Sequence, residues 1–311
     1  MNDRIPAGPI TLSIAAVERD TGLSKDTLRV WERRYGFPMP QRDGTGERAY
    51  TLDQVEKLRL IKRLMEAGHR PGRIVTLAFA ELQLLSDQIA EPAPRGRPAA
   101  RLADLRGHVD LVRRHDARAL RAELTRLMLG LGLGRFVTEV VAPLNTAIGD
   151  AWIRGQLEIF EEHLYTESVQ VVLRQALATL PPGPEDGPAV LLTTFPGEPH
   201  GLGLLMAEAM LAIEGCRCTS LGVQTPLWDI VLAARAHRTN VVALSFTGCM
   251  NPNQVFDGLT ELRAKLPPQV EIWAGGSAPV LHRRRVGGVL PLATLDDVLP
   301  EVERWRAAAL A

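Results

Sequence analysis

Cysteine is scarce in this chain: three among 311 residues, Cys216, Cys218 and Cys249. So few thiols exclude a disulfide framework and suit a reducing cytoplasm. Cys216-x-Cys218 does not have zinc-finger spacing, and small buried residues are the preferred reading of the pair. Neither sign of charge is in excess. The 36 Lys and Arg balance 36 Asp and Glu, and the pI is near 7.1, so the chain as a whole is not built to bind polyanions. No apolar run approaches the ~18 residues of a membrane span. The first residues carry Asp3 and Arg4 with no apolar stretch after them, unlike a signal peptide. No internal repeat is visible.

What is present points to two or three domains with real cores, since 46% of residues are hydrophobic. Two Pro- and Gly-rich breaks, Glu91–Pro98 and Pro181–Pro188, cannot continue a helix and divide the chain into 1–90, 101–180 and 187–311. The middle piece repeats Leu, Ala and Val at three- and four-residue spacing over 102–112, 116–130, 134–154 and 157–179, which predicts a four-helix bundle. The last piece alternates short apolar strands with helices, which predicts a doubly wound parallel α/β domain. The fold class expected is therefore multidomain, α and α/β.

Charge is uneven at the amino terminus, where residues 1–75 hold 14 Lys/Arg against 10 Asp/Glu. A helix over 14–20, a tight turn at Thr21-Gly22-Leu23 and a basic helix over Lys25–Tyr35 capped by Ser24 make a helix-turn-helix pattern. A glycine-tipped hairpin with arginines on its arms follows over 36–50, in the manner of a wing. Helices are expected over Leu52–Ala67 and about Pro71–Leu82. Within this stretch Thr27, Leu28, Arg29, Trp31, Glu32, Gly36, Phe37, Pro40, Arg42, Gly46, Arg48 and Tyr50 match the pattern of MerR-family transcription regulators, which the segment closely resembles. The resemblance implies operator DNA as a partner. Lys25 and Arg29 would face the major groove, Arg42 and Arg48 would hold phosphates, and Thr27 and Arg33 complete the candidate set. Trp31 and Tyr50 are expected in the core. MerR regulators usually continue into a long dimerising coiled coil. Here Pro92 and Pro94 interrupt the helix, so pairing of heads would depend on residues 101–311.

The carboxyl-terminal piece carries Glu198-x-His200-x-x-Gly203 after an apolar strand, 189–195, and before a helix. A loop at the carboxyl end of a strand is where open α/β sheets bind ligands. A neutral imidazole can ligate a metal, and Glu198 can orient its second nitrogen. Glycines at 201 and 203 would admit a large flat ligand. Ser245-Phe246-Thr247-Gly248 and Gly275-Gly276 end two further strands. In this order the three motifs resemble the cobalamin-binding domain of methionine synthase and its relatives, although Ser-Phe-Thr departs from the usual Ser-x-Leu. That resemblance implies cobalt ligation by His200, with Ser245, Thr247, Gly275 and Gly276 around the displaced nucleotide tail.

In the bundle, Trp152 precedes Glu162-His163 by nine residues. Alone, the pattern reads as a core tryptophan beside surface residues. Between a MerR-like head and a cobalamin-like domain it resembles the CarH/LitR-type light-dependent repressors. This implies adenosylcobalamin as cofactor, with Trp152, Glu162 and His163 around the adenosyl group. It also implies a dark-state dimer of dimers that binds DNA and is released by light, with no catalytic residues. Ile153 departs from the family, whose light-responsive members place a cobalt-ligating histidine there; an aliphatic side chain has no ligand atom. A light-independent cobalamin sensor therefore stays open. So, more remotely, do a methyltransferase or mutase carrier and a module for another ligand such as haem. Arg283-Arg284-Arg285 reads as a solvated loop in preference to a subunit contact.

Overall fold

The computed structural model describes residues 11–44, 46–88, 99–248 and 250–309. The break expected at 91–98, with Pro92 and Pro94, and Cys249 lie outside the described residues. The described chain forms two compact units. One holds the residues up to 88 together with Asp150–Leu157, and the other holds the remainder. No helix among the described residues is long and apolar enough to cross a membrane.

In the first unit, β1 (Thr11–Ser13) runs into α1 (Ile14–Thr21), whose cap Ser13 accepts from the Ala16 amide at 3.3 Å. Gly22, at φ +68°, adopts the left-handed conformation that ends the helix and turns the chain. Ser24 then caps α2 (Lys25–Tyr35), accepting from the Thr27 amide at 3.1 Å. Such a cap contributes about 1 kcal/mol. β2 (Gln41–Arg42) and β3 (Arg48–Thr51) make the expected hairpin, and β3 also pairs antiparallel with β1.

Next comes α3 (Leu52–Glu66), tied to α1 by two N–H bonds from Arg59 to Asp20 at 2.9 and 2.6 Å. The single helix expected over 71–82 is two, α4 (Pro71–Ile74) and α5 (Phe79–Gln88). At the break, the Glu81 carboxylate accepts from the Ala78 amide at 2.7 Å and starts a fresh helix. Trp31 and Tyr50 are buried with Leu28, Leu58, Ile61 and Leu64, as expected of core residues.

The second unit begins with α6 (Ala99–Arg113) and α7 (Ala117–Leu131). The long helix expected over 134–154 is interrupted. It consists of α8 (Leu133–Phe136), a π-helical turn at Val137–Val141 and α9 (Ala142–Ile153). Pro143 explains the widening, because its ring would clash with the Glu139 carbonyl four residues earlier in a regular helix. α10 (Ile159–Ala178) completes the bundle; its first turn is held by the Glu161 carboxylate, which accepts from the Glu158 amide at 2.7 Å. The boundary between the two units falls inside α9, after Gly149.

Irregular chain at 181–188 leads to the sheet strands β4 (Ala189–Thr193), β5 (Arg217–Ser220), β6 (Val241–Phe246), β7 (Glu271–Gly276) and β8 (Val289–Pro291). All pair in parallel, in the order β5-β4-β6-β7-β8. This is the flavodoxin-like order, with the topological switch between β4 and β6. Alternation along the strands builds two cores. Leu191, Val242, Leu244, Phe246 and Ile272 pack with α12 (Leu227–Ala236), α13 (Pro252–Lys265) and α14 (Val280–Arg283). Val190, Leu192, Ala243 and Trp273 pack with α11 (Leu202–Ile213) and α15 (Val298–Ala309). The bundle lies against α11 through α8, the π turn and α10. Bundle and α/β layer, expected as separate stretches, therefore form one compact unit.

Among the other expectations, Cys216 is buried and Cys218 half-buried, both as free thiols. Burial pushes the Cys216 thiol up to about 11, so it is inert at neutral pH. Arg284 is not merely solvated: its guanidinium lies 3.8 Å from the centre of the Phe256 ring and donates to Asn253 at 3.1 Å.

Candidate functional site

Both loops that flank the sheet's switch point converge on one histidine. The loop after β4 carries Glu198 and His200, and the loop after β6 carries Thr247. Glu198 is fully buried and accepts four hydrogen bonds. His200 donates through Nδ1 at 2.7 Å and through its amide at 3.1 Å. Thr247 donates through its amide at 2.7 Å and its hydroxyl at 2.8 Å. Burial by itself pushes the carboxyl up, but the bonds from His200 and Thr247 outweigh it and leave Glu198 below the ordinary carboxylate value. An ionised carboxylate only accepts, so Nδ1 of His200 carries a ring proton, and in the neutral ring Nε2 is the ligand-type nitrogen. The His200 side chain is 46% exposed while its orienting partner is sealed behind it.

A depressed Glu198 makes the second unit's stability depend on pH in one direction. The folded value lies below the unfolded one, so this contribution is complete above the unfolded value and is lost as pH falls through the folded value. The melting temperatures of wild type and Glu198→Gln are therefore expected to differ at neutral pH and to converge below about pH 4. A gap that persists in acid would remove the carboxylate's charge as the cause.

His200 opens onto a cavity of about 660 Å³. Of the ten sequence candidates for cofactor contact, eight line it: Glu162, His163, His200, Gly203, Ser245, Thr247, Gly275 and Gly276. Glu198 stands behind His200. Trp152 belongs to the first unit, where the Arg63 guanidinium lies 5.4 Å from the centre of its ring. Gly276 is sterically required and Gly203 is tightly placed. A Cβ on Gly203 would meet the Ser245 hydroxyl at 3.0 Å, and one on Gly276, at φ +107°, would meet the Phe246 carbonyl at 2.2 Å. Gly275 has room for a Cβ, with nothing nearer than 3.7 Å.

Sequence reasoning missed the polar bundle wall. Asn145 and Thr146 on α9, and Thr166 and Gln170 on α10, line the same cavity. Thr166 donates to the Glu162 carboxylate at 2.7 Å, and His163 lies 3.7 Å from its other oxygen. The spacing offered a signal: 162, 166 and 170 recur every four residues and share one helical face.

The head presents a second candidate site. Arg29 is exposed on α2 and bonds Asp26 at 3.2 Å, Arg33 is exposed one turn on, and half-exposed Lys25 lies 3.5 Å from Glu18. Thr27 bonds the Ser24 hydroxyl at 2.8 Å and so belongs to the helix cap. Arg42 donates to the Gly46 carbonyl at 2.8 Å, bracing the hairpin. Arg48 donates through Nε to Glu32 at 2.8 Å, which ties the wing to α2 and holds the guanidinium firmly charged. Arg29→Ala is accordingly expected to weaken DNA binding by about 1–3 kcal/mol in a sequence-dependent way. Arg48→Ala should instead lower the head's stability by about 1 kcal/mol, since solvent still reaches both side chains of this half-buried pair. Binding titrations on matched and mismatched duplexes, with melting curves, separate the two.

Family models match two stretches of the chain. Residues 12–78 fit the family described as MerR HTH family regulatory protein, and residues 188–303 fit the B12 binding domain. The chain is 33% identical over 270 residues to the HTH-type transcriptional repressor CarH of Myxococcus xanthus, covering 84% of this chain and 87% of that one. With CarA of the same organism it shares 32% over 282 residues, covering 86% and 88%. A monomethylamine corrinoid protein of Methanosarcina barkeri superposes with a TM-score of 0.53 at 16% identity, over 64% of this chain and 96% of its own, which is a likeness of fold.

Proposed function

Because the chain belongs to the family of the HTH-type transcriptional repressors CarH and CarA, we propose that it is an adenosylcobalamin-dependent, light-responsive repressor that binds operator DNA as a cofactor-assembled oligomer. Its two matched domains are a MerR-type DNA-binding head and a B12-binding domain, and its curated relatives are regulators, not enzymes. One observation carries the cofactor reading. A buried carboxylate orients an exposed imidazole into a cavity whose walls combine a sheet edge with a polar bundle face.

In this reading His200 is the protein's cobalt ligand through Nε2. Glu198 and Thr247 set its tautomer and direction. Gly203 and Gly276 keep clear the narrow gaps beside Ser245 and Phe246, where the nucleotide tail would lie. Glu162 and His163, which line the cavity, would hold the adenosyl group, with Thr166 fixing the Glu162 rotamer. Bound adenosylcobalamin supplies a light-labile cobalt–carbon bond, a chemistry that belongs to the cofactor. Pairing of two heads then raises DNA affinity by avidity, and a dimer of dimers is the expected assembly. A cytoplasmic location follows for a regulator of operator DNA.

Size-exclusion chromatography with adenosylcobalamin, in darkness and after illumination, tests the reading directly. Assembly in darkness and dissociation after light support it, whereas an unchanged elution volume in all samples refutes it. A second reading, a light-independent cobalamin sensor, is favoured by Ile153, which offers cobalt no ligand atom. Absorption and electron-paramagnetic spectra after illumination should therefore differ between wild type and Ile153→His, with the signature of two imidazoles only in the variant. The same signature in wild type would mean that another histidine serves.

A further inference from the structure

The second unit holds another cavity, of about 480 Å³, between α13, α14 and β8. Strand β7 divides it from the cavity of His200. Trp273 lines that one, and Ala274, which points to the opposite face of the strand, lines this one. Its walls are core residues. Val255, Leu259, Ala274, Val280 and Leu281 are all between 0% and 6% exposed, yet space remains between them and β8. Protein interiors close-pack with few voids larger than a water molecule, whereas this volume falls in the range of small-molecule sites. The turn over the mouth is braced. The Arg284 amide donates to the Val280 carbonyl at 3.0 Å, and the Val289 amide donates to the Val286 carbonyl at 3.2 Å. Gly288, at φ +76°, lies so near α13 that a Cβ would meet Arg263 Cδ at 2.7 Å. Arg263 is itself anchored, donating to the Val270 carbonyl at 2.6 Å and the Leu266 carbonyl at 3.0 Å.

The charged residues that line this cavity are Arg284 and Arg285, side by side at its mouth. Arg284 is held in place, 3.8 Å from the centre of the Phe256 ring and donating to Asn253 at 3.1 Å. Arg285 is exposed beside it. Below the rim the side chains are aliphatic, with Phe256 as the aromatic wall. Such walls disfavour sugars and nucleotides, whose hydroxyls and ring nitrogens would lose water without replacement. Two fixed cations at the mouth favour one anionic group at the end of an apolar body. We propose that this cavity is a second ligand site, which takes an apolar monocarboxylate. The acyl or aryl body packs on Val255, Leu259 and Val280, and the carboxylate meets Arg284 and Arg285. A ligand so placed joins α13, the turn after α14 and the edge strand β8. The site stands apart from the cofactor reading and does not depend on it.

The test uses the full chain with methyl-labelled Val and Leu. Decanoate, naphthoate and decanol are titrated, below micelle formation, into wild type, Arg285→Gln and Val289→Phe, and binding is followed by methyl NMR and calorimetry. At least one of the two carboxylates is expected to bind saturably and to shift the methyls of Val255, Leu259 and Val280. Binding of decanoate alone marks an acyl site, and of naphthoate alone an aryl site; both outcomes support the proposal. Arg285→Gln should weaken the bound carboxylate about tenfold, the scale of one hydrogen bond between charged groups. Decanol should bind more weakly than decanoate by a similar factor. Val289→Phe fills the cavity from the edge strand and should abolish the shifts. Absence of binding by both carboxylates overturns the proposal. So do decanol binding as tight as decanoate with no effect of Arg285→Gln, and shifts confined to Leu202, Leu204 and the cavity of His200. Should Val289→Phe fail to fold by circular dichroism, Arg285→Gln and the location of the shifts decide. Cobalamin uptake, measured separately, is untouched by either result.

Discussion

His200→Ala is expected to weaken adenosylcobalamin binding by at least about 100-fold and to move the visible spectrum of any bound cofactor to that of the free form. The expectation rests on how much of the fold is committed to one imidazole nitrogen. Glu198 is buried, and its carboxylate accepts from the amide and ring of His200 and from the amide and hydroxyl of Thr247. Removing the ring deletes the ligand and one donor to a buried carboxylate at once. Glu198→Gln keeps the ligand but gives up the charge that holds the proton on Nδ1. Changes to such orienting partners cost about 10- to 100-fold in metal affinity, so Gln should fall between wild type and His200→Ala. Equilibrium titrations followed by absorbance measure all three. Equal affinity and an unchanged spectrum in His200→Ala would remove the histidine from cobalt.

DNA binding should depend on the cofactor by a factor of about 10² to 10⁴, the gain available when two weak modules are held together. A single head offers only a few exposed cations on α2, among them Arg29 and Arg33, because Arg42 and Arg48 are occupied in bracing the wing. With so few cations on that helix, an isolated head should bind poorly. Mobility-shift titrations, on duplexes that the protein itself selects from a random pool, compare the cofactor-free chain with the chain loaded in darkness and after light. The loaded dark sample should bind at far lower protein concentration, and light should abolish the difference. Tight binding by the cofactor-free chain would show that the heads pair without the ligand and would overturn the assembly mechanism. A salt series adds a check, since paired heads should show about twice the salt slope of one.

Much of this protein was legible because the rules that shape it are local. Ser13 and Ser24 announce helix starts, and Gly22 and Gly36 announce the ends, through contacts that span three or four residues. The unbroken apolar run of residues 189–193 and the three- and four-residue spacing of the bundle mark buried segments before any partner is known. Motif order placed His200, Ser245 and Gly276 at strand ends, and a parallel sheet brings strand ends together at one edge. Where local signals competed, reading was poorer. The break between α4 and α5 turns on a single carboxylate reaching back three residues, and the π turn before α9 turns on one proline.

The amino-acid sequence by itself determined the two domain types, the helix caps, the candidate histidine and the glycines beside it, because each depends on neighbours within a turn or a strand. Tertiary structure alone decided which charges are spent and which are offered. Arg48 pairs with Glu32 sixteen residues away, Thr247 bonds Glu198 across forty-nine positions, and Arg63 covers Trp152 on a helix of another stretch of chain. Such pairs leave no periodic trace. Their energy comes from burial and from the matching of donors to acceptors on surfaces that meet only after the elements pack.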